Sequence, residues 1–212
     1  MAPAFWAAGL GVTLVAAVPA IADEAPKYGG ILTYMIPADA PPSFDAHREV
    51  TYATIHSAAP FYSTLIRINP YNPASTTDFV CDLCTTMPQP TDDGKTYTFK
   101  IRQGVKWHDG STLSADDVVA SWNKIIDPPE GVSSARQSFF MMVDQVEAPD
   151  PSTVVFRLKF PTTAFLPALA DPYNWIYKKE VLDKDPHCTG KTLWAPAHSS
   201  LSPSRLARPS RG

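Results

Sequence analysis

One stretch near the middle of the chain leaves its backbone few choices. Asp92-Asp93-Gly94-Lys95 gathers residues that tolerate left-handed backbone, so the chain turns there. Behind the turn Tyr97, Phe99 and Ile101 alternate with Thr98, Lys100 and Arg102, which gives a strand one apolar and one charged face. That is the pattern of a half-buried antiparallel strand. Trp107-His108-Asp109-Gly110 makes a second turn. Ser114, three residues before Asp117, then opens a helix whose first amides it caps and whose positive end Asp116 and Asp117 complement. Val118, Trp122, Ile125 and Ile126 share one side of that helix until Asp127-Pro128-Pro129 stops it. A turn, an amphipathic strand and a capped helix in succession call for mixed α/β structure, and 22 prolines against 10 glycines argue against a helix bundle.

Outside this block the periodic runs are shorter. Tyr28 to Met35 has strand composition, Pro37 to Asp45 is loop chemistry, and Tyr52, Ile55, Ala58 and Ala59 recur at helical spacing up to Pro60. Thr64 to Ile68 is a strand ended by Asn69-Pro70. Gln145 to Pro151 is polar and turn-prone, whereas Val154, Phe156 and Leu158 alternate with Val155, Arg157 and Lys159 in another strand. A helical piece spans Thr163 to Ala170, and Asn174 to Tyr177 is strand-like.

Charge and composition exclude some function classes. A formal net charge of -3 gives nucleic acid no electrostatic footing, and 44% hydrophobic with 18% charged residues is enough for a folded core. From Phe5 to Ala22 there is no charge, and Ala20-Ile21-Ala22 stands before Asp23 and Glu24 as a signal-peptidase site does. Residues 1–22 therefore read as an export signal cleaved after Ala22, which delivers the product to the periplasm. The usual Lys or Arg ahead of the apolar run is missing, so an uncleaved anchor or a buried helix is the alternative.

Cys81-Asp82-Leu83-Cys84 is a C-x-x-C, read as a structural pair, bonded or free. A zinc site would need a second such pair or two histidines, and a redox site would need the motif to open a helix. A thiol oxidoreductase using Cys81 and Cys84 is the rival enzymatic reading. His108 and Asp109 have no third ligand beside them, so no catalytic residue, metal or cofactor is expected.

Several of these segments together resemble the peptide/nickel-type solute-binding proteins of ABC importers, the large three-domain class called family 5. The resemblance is carried by Tyr28-Gly29-Gly30-Ile31-Leu32, by Pro41-Pro42 with Asp45, and above all by the run from Asp92 through Gly110 and on through Leu113-Ser114-Ala115-Asp116-Asp117 to Trp122. It covers about residues 27–187. It implies a periplasmic-binding-protein-like class II fold, α/β, with a mixed sheet and flanking helices, of which only the N-terminal lobe region (23–187) is present. It also implies no enzyme activity, a small solute such as a short peptide, an ABC importer's membrane subunits as partners, and a monomer. By analogy the ligand contacts fall on Phe44 and Tyr52 and on Asp171, Tyr173 and Trp175, although the same aromatics can equally be core. With the opposing lobe missing, the cleft is open on one side and binding is expected to be weak or nil.

Composition changes at Cys188. Residues 188–212 contain no Asp or Glu and end in a Ser/Pro/Arg-rich run with Arg205, Arg208 and Arg211. Codons for His187 to Ser202 exist in which one restored G yields a peptide containing Gly-Thr-Gly-Pro-Phe, as the family shows at this point. The tail is thus expected to be a frameshift product, disordered and foreign to the fold, and the whole chain a nonfunctional fragment at the extreme. The alternative is a basic arm for a partner, although its arginines are sparse for that role.

Overall fold

The computed structural model describes residues 33–38 and 40–187. The export segment, most of the Tyr28–Met35 strand and the tail from Cys188 lie outside the described residues. Thr33 to Met35, which are described, are irregular and exposed, with no strand paired to them.

Chain order is α1 (Tyr52–Ala58), β1 (Ile66–Ile68), β2 (Phe79–Cys81), β3 (Thr96–Lys100), α2 (Ala115–Ile126), a 3-10 turn (Gln137–Phe140), β4 (Val143–Asp150), β5 (Thr153–Leu158), α3 (Phe165–Leu169) and α4 (Lys179–Lys184). The strands form two antiparallel sheets, β1-β2 and β3-β5-β4.

The turn ahead of β3 forms as its residues require, with φ of 53°, 51° and 82° at Asp92, Asp93 and Gly94. β3 then buries Tyr97 and Phe99 and exposes Thr98 and Lys100. At α2, Ser114 N–H donates to the Asp117 carboxylate at 2.9 Å and completes the cap from the N3 side. Asp117 is buried and its other oxygen accepts from Lys179 N–H at 2.8 Å, so this cap also seats the start of α4. Val118, Trp122 and Ile125 are fully buried, as the stripe requires, while Ile126 is half-buried. The stripe lies on the three-stranded sheet. There Trp122 meets Phe140 and Phe156 edge-on at 4.8 and 5.2 Å, and Phe156 meets Phe99 edge-on at 5.7 Å.

Two segments differ from the sequence reading. Gln145 to Pro151 does not form a loop: Val143–Asp150 is an edge strand whose register shifts between Val143 and Gln145 and again between Glu147 and Asp150. The shifts place buried Val143 and Val146 three residues apart, which removes the two-residue alternation that marks a strand. Asn174 to Tyr177 does not form a strand either. It is a buried extended connection whose polar groups pair singly, Ile176 N–H donating to Ser63 C=O at 2.9 Å and Tyr177 N–H to Ser121 Oγ at 2.7 Å.

Phe156 stands at the centre of this core, so Phe156→Ala is expected to cost about 3–5 kcal/mol of unfolding free energy. Phe160→Ala, at a position 53% exposed, should change it by less than about 0.5 kcal/mol. Urea unfolding of the two variants beside the parent checks the contrast.

Candidate functional site

A second, smaller core lies beside the first. Ala46, Ile55, Ala58, Tyr62, Trp175 and Tyr177 form its centre, with Phe44 and Tyr173 packed on its edge. The two cores meet across polar groups. Lys124 Nζ on α2 lies 2.6 Å from Asp45 Oδ2, and both side chains are buried. Tyr177 donates its hydroxyl to Asp45 Oδ1 at 3.3 Å and accepts from Ala46 N–H at 2.9 Å. Ser121 Oγ donates to Tyr177 C=O at 3.1 Å. Lys178 pairs with Asp109 at 2.5 Å, so the His108-Asp109 turn holds down the entry to α4. That pairing, helped by Ser111, holds the Asp109 carboxyl well below the usual carboxylate range. Burial, and after it the neighbouring Asp45, pushes the Tyr177 hydroxyl up, so it stays a neutral donor.

His47 belongs to this seam. Its ring is fully buried, its Nε2 lies 2.8 Å from Trp175 C=O, and its Nδ1 has no partner among the described residues. Burial, followed by the nearby Lys124 charge, lowers its pKa from 6.5 to about 3 and keeps the imidazole neutral.

Of the five residues named from sequence, Trp175 lies in the second core, Phe44 and Tyr173 pack against it, and Tyr52 and Asp171 adjoin it next to Tyr173. Tyr52 heads α1, is 67% exposed and stacks on His56 at 5.5 Å. Tyr173 is half-buried and donates its hydroxyl to Thr51 C=O at 3.1 Å, which sets it beside Tyr52. Asp171 is half-buried and accepts from Tyr173 N–H at 2.9 Å. Phe44 is half-buried at the rim of the same cluster. Trp175 is 1% exposed and stacked flat on Tyr62 at 4.6 Å, so it backs the face without reaching its surface.

Arg136 is the member that sequence reasoning missed. Its guanidinium lies over the Tyr173 ring at 4.0 Å, it donates to Glu49 C=O, and the residue is 4% exposed. Burial lowers its pKa, opposed first by the Asp171 charge, and the group stays a cation. Burial likewise raises Tyr173, with Arg136 opposing it. An arginine after Ser133-Ser134-Ala135 has no periodic or motif signal in the sequence, because its partners, the Tyr173 ring and the Glu49 backbone, lie far from it along the chain.

What this arrangement offers a ligand is an aromatic surface with one carboxylate beside it, suited to apolar side chains and an amino group. A wider groove of about 780 Å³ lies elsewhere, between the end of α2, the 3-10 turn and β4, and is lined by none of the five residues. Cys81 and Cys84 are joined as a disulfide at the end of β2, with Cys84 fully buried and no helix starting at the motif. Among the described residues no group of three or more His, Cys, Asp or Glu could hold a metal ion.

Comparison with known proteins gives a consistent result. A family profile described as bacterial extracellular solute-binding proteins, family 5 Middle, matches residues 78–195. The glutathione-binding protein GsiB of Escherichia coli K12 is 36% identical over 94 residues, 44% of this chain and 18% of its own length. The dipeptide-binding protein of the same strain is 33% identical over 142 residues, 60% of this chain and 26% of its own. Among solved structures, the binding protein MoaA from Agrobacterium tumefaciens R10, in complex with mannopinic acid, superposes with a TM-score of 0.64 at 26% identity. That superposition covers 72% of this chain and 30% of MoaA. The chain thus spans less than a third of the length of each of these proteins.

A buried neutral His47 has a pH signature. The folded pKa lies below the unfolded one, so between pH 6.5 and about 3 the unfolded chain binds more protons. The stability present above pH 6.5 is therefore lost as pH falls through that window, at up to about 1.4 kcal/mol per pH unit for this one group. The urea midpoint should fall as pH drops from 6.5 towards about 4.5, before most carboxylates titrate, and His47→Gln should flatten that slope.

Proposed function

The chain belongs to the bacterial extracellular solute-binding proteins of family 5, and from that premise we propose that it derives from the solute-capturing component of an ABC importer that takes up short peptides or a related small solute. It carries out no chemical step of its own. The importer's membrane subunits are its partners, and capture takes place outside the cytoplasmic membrane. No helix among the described residues is long and apolar enough to cross a membrane. Residues 1–22 act as the export signal, and 23–187 form the binding lobe.

The observation that carries the reading is the aromatic face. Tyr52 stands exposed, Phe44, Asp171 and Tyr173 are half-buried around it, and Trp175 supports them from behind. A solute with apolar side chains and a cationic amine would lie on this face with the amine towards Asp171. Peptide is the favoured solute class because relatives are named for a dipeptide and for glutathione. The related MoaA holds mannopinic acid, so the same scaffold also accepts other small solutes.

One aromatic face cannot enclose a solute on most of its surface, as small-molecule sites do. The disulfide and the buried Cys84 favour a structural use of the C-x-x-C over a thiol-redox enzyme.

Titration of the chain with dipeptides in a calorimeter is expected to give no saturation below about 1 mM, a binding free energy weaker than roughly 4 kcal/mol. Micromolar binding by this chain alone would overturn the open-cleft reading. Resequencing the gene past the His187 codon should recover a receptor-like frame after restoration of one G. N-terminal sequencing of the exported product should begin at Asp23, and a chain starting at Met1 counts against cleavage.

A further inference from the structure

The C-x-x-C lies where the two sheets are joined, and the aromatic face makes no use of it. Cys81 ends β2, in register with Ile66 of β1. Cys84 forms an isolated antiparallel bridge with Ile101, just past β3. The four residues between and including the sulfurs are tied to both sides. Asp82 and Cys84 donate their N–H groups to Leu65 C=O at 3.2 and 3.3 Å, and Leu83 donates to Thr64 C=O at 3.1 Å. On the far side Arg102 N–H donates to Leu83 C=O at 2.8 Å, and Arg102 Nε donates to Asp82 C=O at 2.7 Å. The Asp82 carboxylate accepts from Thr64 N–H at 2.9 Å.

The geometry points to the Cys81–Cys84 disulfide as a redox-sensitive latch that fixes the β1-β2 ribbon to the three-stranded sheet. The two sheets differ in how far they depend on it. β1 and β2 are three residues each and pair only with one another, a size of ribbon that is marginal unaided. The β3-β5-β4 sheet is covered by α2 and draws most of its core from residues of those elements, among them Phe99, Val118, Trp122, Val154 and Phe156, with Cys84 as one further member of the same cluster. Opening the bond therefore loosens the ribbon and leaves the larger sheet in place.

The two sulfurs also differ in access. Cys84 is fully buried in the main core, whereas Cys81 is half-buried. A small dithiol therefore enters at Cys81. Its thiolate attacks Cys81 Sγ, the protein S–S bond breaks, and the electron pair leaves on Cys84 Sγ, which takes up a proton. The reductant's second thiol, as thiolate, then displaces Cys81, which also takes up a proton. The protein gains two thiols, and the dithiol leaves as its own disulfide.

The test compares the full chain in the oxidised state and after reduction with dithiothreitol, by amide hydrogen exchange read by mass spectrometry. Reduction is expected to speed exchange by about tenfold or more at 64–68 and 79–85 while 143–158 keeps its protection. Cys81→Ala, which removes the bond without placing a polar group in the core, should reproduce the reduced pattern and make the protein indifferent to dithiothreitol. Equal protection in the two states overturns the proposal, as does loss of protection across both sheets together. A monothiol adduct trapped on Cys84 in place of Cys81 overturns the order of attack.

Discussion

The buried pair of Lys124 and Asp45 is the interaction on which the arrangement of this protein turns. An ammonium and a carboxylate placed in an interior lose several kcal/mol of hydration each, and only close pairing with further hydrogen bonds offsets that loss. Here the partners come from opposite cores, α2 on one side and the segment before α1 on the other, with the Tyr177 hydroxyl also bonded to the carboxylate. Such a pair contributes less net stability than an apolar contact of similar size would. It does fix orientation, because no sliding of one core over the other keeps both charges satisfied. Ser121, Arg136 and Lys178 repeat the same device along the seam.

The aromatic face inherits its shape from that seam. Tyr173 is held from above by the Arg136 guanidinium, from the side by Thr51 C=O and through its own amide by Asp171. Three restraints from three segments leave its ring little freedom. Preorganisation of this kind cuts the entropic cost of ordering a surface on binding.

The legible parts of this fold were those whose determinants are local. The Asp92–Gly94 turn, the alternation along β3 and the Ser114 cap with its apolar stripe all sit within a few residues of their cause. β4 was hidden because two bulges destroy its alternation, and Asn174–Tyr177 misled because its apolar run is buried for core packing and not for sheet pairing. β2 and α4 are too short to show a period. The neighbourhood of Phe44, Tyr52, Asp171 and Tyr173 could be named by likeness, but its organising cation could not. Arg136 acquires its role only through contacts with Glu49 and Tyr173, which no periodicity in the sequence connects to it.

β4 has a further consequence. It is an outer strand of the β3-β5-β4 sheet, with its register twice displaced, a proline at position 149, and Asp144, Gln145, Glu147 and Asp150 among its eight residues. An edge that is bulged, acidic and interrupted by an imino acid is a poor template for another extended chain. Two copies of the protein have little means of zipping together along it. An extended peptide likewise gains little backbone ladder along this edge.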